Sequence, residues 1–151
     1  MISIRERLYI ETDGSCANCG FKDSRALSIH HIEKSKPKNE AYDNKILLCY
    51  NCHQTHGLGK GPSTEDLKKL KRQLIMKTLT PLGLNAMKEA YRKGLVVATP
   101  FLVNHLIELR YLEQVDTISS FSTDDGKVVD VDCTYSLTSE GRKLLDTWKL
   151  K

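Results

Sequence analysis

Two short apolar runs in the first half of the chain have the length expected of β-strands. They occupy residues 27–32 and 46–48, and a polar loop rich in lysine separates them. A short helix is predicted after the second run, because the glycine-rich stretch 57–62 would end it. This pattern predicts a β-hairpin followed by a helix, while residues 1–15 are compatible with either a short helix or a strand.

Helical spacing dominates the second half of the chain. Leu67, Leu70 and Leu74 recur at the spacing of one helix face, and Ser63 or Thr64 is placed to cap the start of that helix. The three leucines are therefore predicted to be buried, and Lys68, Lys69 and Arg72 to lie on the far side.

Further elements are predicted by turn and capping residues. Thr-Pro pairs at 80–81 and 99–100 indicate the starts of two helices, and a short strand is expected at 95–98. A long hairpin is predicted over 111–136 around an Asp-Asp-Gly turn, with a closing helix from about Thr138. The residues predicted to face the core here are Leu84, Met87, Tyr91, Leu102, Leu106, Leu109, Val129, Val131, Cys133, Tyr135, Leu137, Leu144, Leu145 and Trp148.

Cysteine and histidine are concentrated in the predicted hairpin and helix. Four of the five cysteines and four of the five histidines lie between residues 16 and 56. Cys16 and Cys19 form one Cys-x-x-Cys pair, and Cys49 and Cys52 form a second. Two such pairs close a tetrahedral cage around one structural zinc ion. A plain zinc ribbon would need no histidines, so these are either extra zinc ligands, surface residues, or parts of a second site.

The arrangement of these residues resembles the zinc-stapled form of the HNH endonuclease family over roughly residues 10–60. The resemblance implies a ββα-metal module that binds one divalent cation and cleaves DNA, leaving 5′-phosphate and 3′-hydroxyl ends. His30 and His31 match the metal ligand and the general base that follows it. Asn44 matches the central asparagine, five residues before Cys49.

The resemblance also implies that two histidines on the predicted helix bind the cation. His53 directly follows the second cysteine pair, as the last motif residue of the family often does. His56 is the expected third ligand. It lies three residues after His53, whereas a spacing of four residues is common in the family. The cation itself is left open among Mg²⁺, Mn²⁺, Co²⁺, Ni²⁺ and Zn²⁺.

The adjacent histidines support the same division of roles without the family. Neighbouring residues on a strand point to opposite faces, so His30 can bind a cation while His31 faces the attacking water. An imidazole accepts a proton near neutral pH, which suits His31 as the base. Asn44 is expected to orient that base through a hydrogen bond.

The charge of the chain is unevenly distributed around a net value of +4. Residues 64–98 carry a balance of +5, and residues 99–151 carry a balance of −3. Cations next to the predicted site suit contact with DNA phosphates, although a solvated surface would show the same sign. The candidate phosphate contacts are Lys34, Lys36, Lys68, Lys69 and Arg72.

The last part of the chain resembles the winged-helix family in its order of helix, hairpin and closing helix. Its hairpin carries six acidic residues and one basic residue between positions 112 and 136, which phosphates would repel. A contact with a protein partner or a second copy of the chain is therefore expected here rather than DNA reading.

The sequence thus predicts an α+β protein with a zinc-stapled nuclease module over residues 1–62 and a winged-helix-like domain over residues 63–151. Five cysteines without a disulfide pattern and the lack of any long apolar run predict a cytoplasmic protein without membrane contact. The alternative function is a non-catalytic, zinc-binding, DNA-associated adaptor or transcription regulator.

Overall fold

The computed structural model describes residues 2–151, and Met1, the first residue of the predicted nuclease module, lies outside that range. The predicted α+β class is confirmed. The chain forms two compact units, one extending to Thr78 and the other running from Leu79 to Lys151. In the part that the structure describes, no helix combines the length and the apolar character needed to cross a membrane. The cytoplasmic location stays a prediction.

The first unit contains a two-stranded antiparallel sheet and three helices. Its register pairs Leu27 with Cys49 and His31 with Lys45. A 3₁₀ turn at Tyr42–Asn44 leads into the second strand. The elements are α1 (Ile4–Glu11), β1 (Leu27–His31), β2 (Lys45–Cys49), α2 (Tyr50–Gly57) and α3 (Thr64–Leu79).

Strand β2 lies at the centre of the core of this unit. Its apolar residues Ile46, Leu47 and Leu48 are fully buried, so elements cover both of its faces. This explains why the strand is a continuous apolar run rather than an alternating one. The segment left open at residues 1–15 contains helix α1, which Ser3 and Glu6 cap in a reciprocal capping box.

Helix α3 packs on the first unit, so the division falls later than the predicted boundary after residue 62. Leu67 is fully buried in the same core cluster as Cys16, Cys49 and Cys52. Lys71 on the same helix is also fully buried and forms an ion pair with Glu11 of α1. The glycine-rich stretch 57–62 is a turn inside the first unit.

The second unit combines helices with a three-stranded antiparallel sheet in the order β3-β5-β4. Thr80 and Thr138 cap α4 and α6 by accepting hydrogen bonds from Gly83 and Gly141. The elements are α4 (Pro81–Lys93), β3 (Val96–Ala98), α5 (Pro100–Glu108), β4 (Leu112–Ser122), β5 (Val128–Leu137) and α6 (Ser139–Thr147). The name winged helix stays a prediction for this unit.

Several core positions predicted for the second unit are more exposed than expected. Val129 and Val131 are 41% and 37% exposed, because the hairpin extends beyond the elements that cover Cys133 and Tyr135. The other predicted core residues that are only partly buried are Leu84, Tyr91, Leu102, Leu137 and Trp148. His105 is partly buried and donates a hydrogen bond from Nε2 to the carbonyl of Leu79 at 3.0 Å.

Candidate active site

The four cysteine sulfurs converge from two segments that are distant in the sequence. Cys16 and Cys19 lie on the turn that follows α1, while Cys49 ends β2 and Cys52 lies in the first turn of α2. The four Sγ atoms all lie within 4.8 Å of one another. The predicted four-cysteine cluster is therefore formed and could hold a structural metal ion.

The geometry of this cluster fits a tetrahedral ion. Cys19 Sγ lies 3.7 Å from Cys49 Sγ, and metal–sulfur bonds of ~2.3 Å give a tetrahedron with edges of about 3.8 Å. Asn18 donates from Nδ2 to Cys52 Sγ at 3.4 Å. Burial raises the pKa of Cys16, but hydrogen bonds from the backbone N–H groups of Cys19, Cys49 and Asn18 outweigh it, and this pKa is about 7.

Three histidine rings meet where β1 faces α2. The ring centroid of His30 lies 4.8 Å from that of His53 and 4.8 Å from that of His56. Residues three apart on a helix share one side, so the two rings of α2 approach His30 together. The structure thus brings together the three histidines named from the sequence as cation ligands, including the one with the shorter spacing.

One nitrogen of the His30 ring is unpaired inside this cluster. Its Nε2 is buried and has no hydrogen-bond partner among the residues that the structure describes. Burial, followed by the charges of His53 and His56, lowers the pKa of His30 to about 4. The ring is therefore neutral at physiological pH, as a metal ligand must be, and a divalent cation would satisfy an atom that is otherwise unpaired.

His56 is held by the turn that follows α2. Its Nδ1 donates to the carbonyl of Pro62 at 2.6 Å, so its Nε2 carries the lone pair. The turn approaches the helix closely at Gly61. A Cβ atom there would lie 2.4 Å from Thr55 Oγ1 and 2.9 Å from the backbone nitrogen of His56. Gly61 is therefore required for the contact that orients this ring.

His31 is paired with a carboxylate that the sequence analysis missed. Its Nε2 lies 3.2 Å from Glu40 Oε1, and Lys45 Nζ lies 2.6 Å from Glu40 Oε2. The hydrogen bond of Lys45 is the first cause that lowers the pKa of Glu40, and that of His31 is the second. No motif spacing indicates Glu40, because it lies in a loop whose conformation the sequence pattern does not define.

Asn44 does not make the hydrogen bond to His31 that the sequence analysis expected. Its Oδ1 accepts from the backbone N–H of Glu33 at 2.9 Å. Its Nδ2 donates to the carbonyls of Glu33 and Asn39 at 3.1 and 3.0 Å. Asn44 is itself buried, and its three polar contacts hold both ends of the loop between β1 and β2. Its effect on the site therefore passes through the loop.

A cleft of about 420 Å³ opens beside the histidine cluster. His30, His53 and His56 line it together with His31, so all four histidines face one space. The loop between β1 and β2 forms another part of the wall, and its three lysines give that wall a positive charge. The loop residues that line the cleft are Glu33, Lys34, Ser35, Lys36 and Lys38.

The cations predicted on α3 differ in their availability. Lys68 forms ion pairs with Glu33 at 2.6 Å and with Glu65 at 3.1 Å, so it is already neutralised. Lys69 and Arg72 are exposed, and the guanidinium of Arg72 also contacts Met76 Sδ at 3.4 Å. Of this helix, the latter two cations are the better candidates for contact with phosphate.

Neither a curated protein nor a solved structure matches the chain. A family model, however, covers the segment that holds both cysteine pairs and the four histidines that line the cleft. Residues 16–58 match the model of the HNH endonuclease family.

Proposed function

We propose that this protein is a metal-dependent endonuclease that hydrolyses phosphodiester bonds in DNA. The observation that carries the proposal is the cluster of His30, His53 and His56, with an unpartnered buried nitrogen, inside the segment that matches the HNH family. A zinc ribbon alone would have no use for this second cluster.

The three clustered histidines would hold the divalent cation. When bound, that cation supplies charge stabilisation for the scissile phosphate and for the leaving oxygen. Imidazole nitrogens suit Mn²⁺, Co²⁺, Ni²⁺ or Zn²⁺ better than Mg²⁺, although Mg²⁺ remains in the set to be tested. The carbonyl of Pro62 fixes the ring of His56 in the tautomer that a ligand needs.

His31 is proposed as the catalytic residue that takes a proton from the attacking water. It lines the same cleft as the three ligands, next to His30 in the sequence. Asn44 supports this arrangement by closing the loop that leaves β1 directly after His31.

The lysines at the cleft are proposed to contact the backbone of DNA. Lys34 and Lys36 line the cleft and are exposed, so they can approach phosphates near the reacting bond. Lys69 and Arg72 would extend this contact along α3. Lys68, which the sequence analysis placed in the same group, would first have to exchange Glu33 for phosphate.

The four cysteines are proposed to bind zinc as a structural ion. Four thiolates at tetrahedral separation are the ligand set that zinc prefers. The ion would join the turn after α1 to α2, and so would hold the helix that carries His53 and His56.

The second unit is proposed to be a winged-helix-like domain that contacts protein rather than DNA. Its order of helices, three-stranded sheet and closing helix supports the fold, and its acidic hairpin supports the partner class, whether another protein or a second copy.

Plasmid cleavage with Mg²⁺, Mn²⁺, Co²⁺, Ni²⁺ and Zn²⁺ in turn tests the proposed activity. Cleavage with at least one cation is expected, with 5′-phosphate ends, and His31→Ala should reduce the rate by ~10²–10⁴-fold while DNA affinity is kept. His53→Ala should lose the catalytic cation as well. A protein that binds DNA and one zinc ion, but cleaves with none of the cations, would instead be the non-catalytic adaptor.

A further inference from the structure

Glu40 bridges the two residues at the loop end of the β1–β2 hairpin. His31 and Lys45 are directly opposite each other in the strand register. One carboxylate oxygen of Glu40 lies 3.2 Å from His31 Nε2, and the other lies 2.6 Å from Lys45 Nζ. The carboxylate therefore contacts the proposed base and its cross-strand neighbour at the same time.

We propose that Glu40 is a positioning residue that fixes the orientation and the tautomer of His31. This inference rests on the proposed function, in which His31 accepts a proton from water. An ionised carboxylate has no hydrogen to donate, so the contact requires the proton to be on Nε2 of a neutral His31 ring. Nδ1 then keeps the lone pair, and it is the atom that takes the proton.

Two features hold Glu40 in place although its side chain is 60% exposed. The side chain of Lys45 is only 13% exposed, so it is a fixed partner for one carboxylate oxygen. The backbone on either side is also fixed, because Asn39 Oδ1 accepts from the N–H of Ala41 at 3.0 Å and Asn44 donates to the Asn39 carbonyl.

A purely structural role for this contact is disfavoured by its exposure. Ion pairs between exposed side chains contribute little to stability, because solvent screens them. The same arrangement, with a base oriented by a third group that does not touch the substrate, increases the reactivity of a base by keeping its lone pair aimed at the reacting proton.

The test compares Glu40→Ala and Glu40→Gln with Glu89→Ala in the 151-residue chain. Glu89 is a matched control, since it is a surface carboxylate paired with a lysine, Lys93, in the other unit. For Glu40→Ala, kcat should fall about 10–100-fold with little change in KM, as for other partners that orient a functional histidine. Glu40→Gln should recover part of this loss, because an amide oxygen can still accept from Nε2. The control should cleave at the wild-type rate.

Nitrogen NMR of the histidine rings provides a readout that does not depend on cleavage. The wild-type ring of His31, assigned by comparison with His31→Ala, should carry its proton on Nε2, and Glu40→Ala should shift it towards the other tautomer. An unchanged tautomer in Glu40→Ala, an unchanged kcat, or a loss confined to KM would overturn the inference. Wild-type protein that does not cleave DNA would overturn the proposed function instead, and the ring tautomer would still decide the role of Glu40.

Discussion

Glu11 and Lys71, which are sixty residues apart in the chain, form an ion pair in which both side chains are completely buried. Lys71 Nζ lies 2.8 Å from Glu11 Oε1 and 3.6 Å from the ring centre of Tyr42. The hydroxyl of Tyr42 donates to the other oxygen of Glu11. This cluster joins α1, α3 and the 3₁₀ turn before β2, and so it supports the base of the loop that lines the cleft.

Breaking this buried pair on one side should destabilise the first unit. Lys71→Met or Glu11→Gln alone should lower the free energy of unfolding by about 3–5 kcal/mol, because each leaves a buried group without its partner. The double variant should recover most of that loss, since desolvation of both charges is then avoided. Urea unfolding of the four proteins at fixed zinc concentration measures the coupling, and additive losses in the double variant would contradict it.

The same pair should make stability depend on alkaline pH. Burial lowers the pKa of Lys71 from its ordinary value of 10.5 to about 8. The nearby charge of Glu11 acts in the opposite direction but does not outweigh burial. Between these two values the unfolded chain binds a proton that the folded chain has lost, so the free energy of unfolding should rise with pH in this window. Urea unfolding of the wild type relative to the Glu11→Gln/Lys71→Met double variant isolates this contribution, and a difference that falls with pH would contradict it.

The position of Lys71 shows what the hydrophobic pattern revealed and what it did not. The sequence predicted α3 and the burial of Leu67, and it assigned Lys68, Lys69 and Arg72 to the far side of the helix, but it made no prediction for Lys71. Lys71 lies four residues after Leu67 and three before Leu74, which is the buried face of that helix. The spacing therefore contained the signal, but its partner in α1 is a tertiary contact that no local pattern contains.

The same distinction applies to the candidate site. Residues placed by local spacing were predictable, and the residue placed by the loop conformation was not. The cysteine pairs and the histidines were predictable because hairpin and helix geometry follow from spacing over a few residues. Glu40 was missed because its contact with His31 depends on the course of an irregular loop. The alternation of apolar and polar residues placed Val129 and Val131 on one face of β5. It could not show how much of that face other elements bury.

Loss of one cysteine ligand should remove the structural ion. Cys49→Ala should reduce bound zinc from about one equivalent to none and unfold the first unit, because binding of the ion contributes to its folding. Cys133→Ala is the control, as this buried cysteine lies on β5, outside the cluster. Metal analysis and circular dichroism measure both effects, and a folded Cys49→Ala protein without zinc would argue against a structural role.

The exposed cations near the cleft should determine the salt dependence of DNA binding. Lys34→Ala and Lys36→Ala should each reduce the slope of log affinity against log salt by about 0.9 if each side chain neutralises one phosphate. Lys127→Ala is the comparison, since that lysine is exposed but paired with Asp125 on the acidic hairpin. Fluorescence anisotropy over a range of salt gives the slopes, and equal slopes for all these variants would exclude the loop from the DNA contact.

Gly61 provides a test of His56 as a cation ligand that leaves every proposed ligand intact. In Gly61→Ala the added Cβ would clash with Thr55 and with the backbone of His56, so the turn must move and the Pro62 carbonyl leaves Nδ1. Loss of such an orienting partner typically weakens metal affinity about 10–100-fold. Gly57→Ala is the matched control, because its Cβ would meet no atom within 4 Å and the backbone there has no positive φ.

Calorimetric titration with Mn²⁺ or Co²⁺ into zinc-loaded protein should therefore show weaker binding for Gly61→Ala alone. Unchanged affinity in that variant would mean that the contact with Pro62 does not support a ligand, and His56→Ala would then be expected to retain the cation.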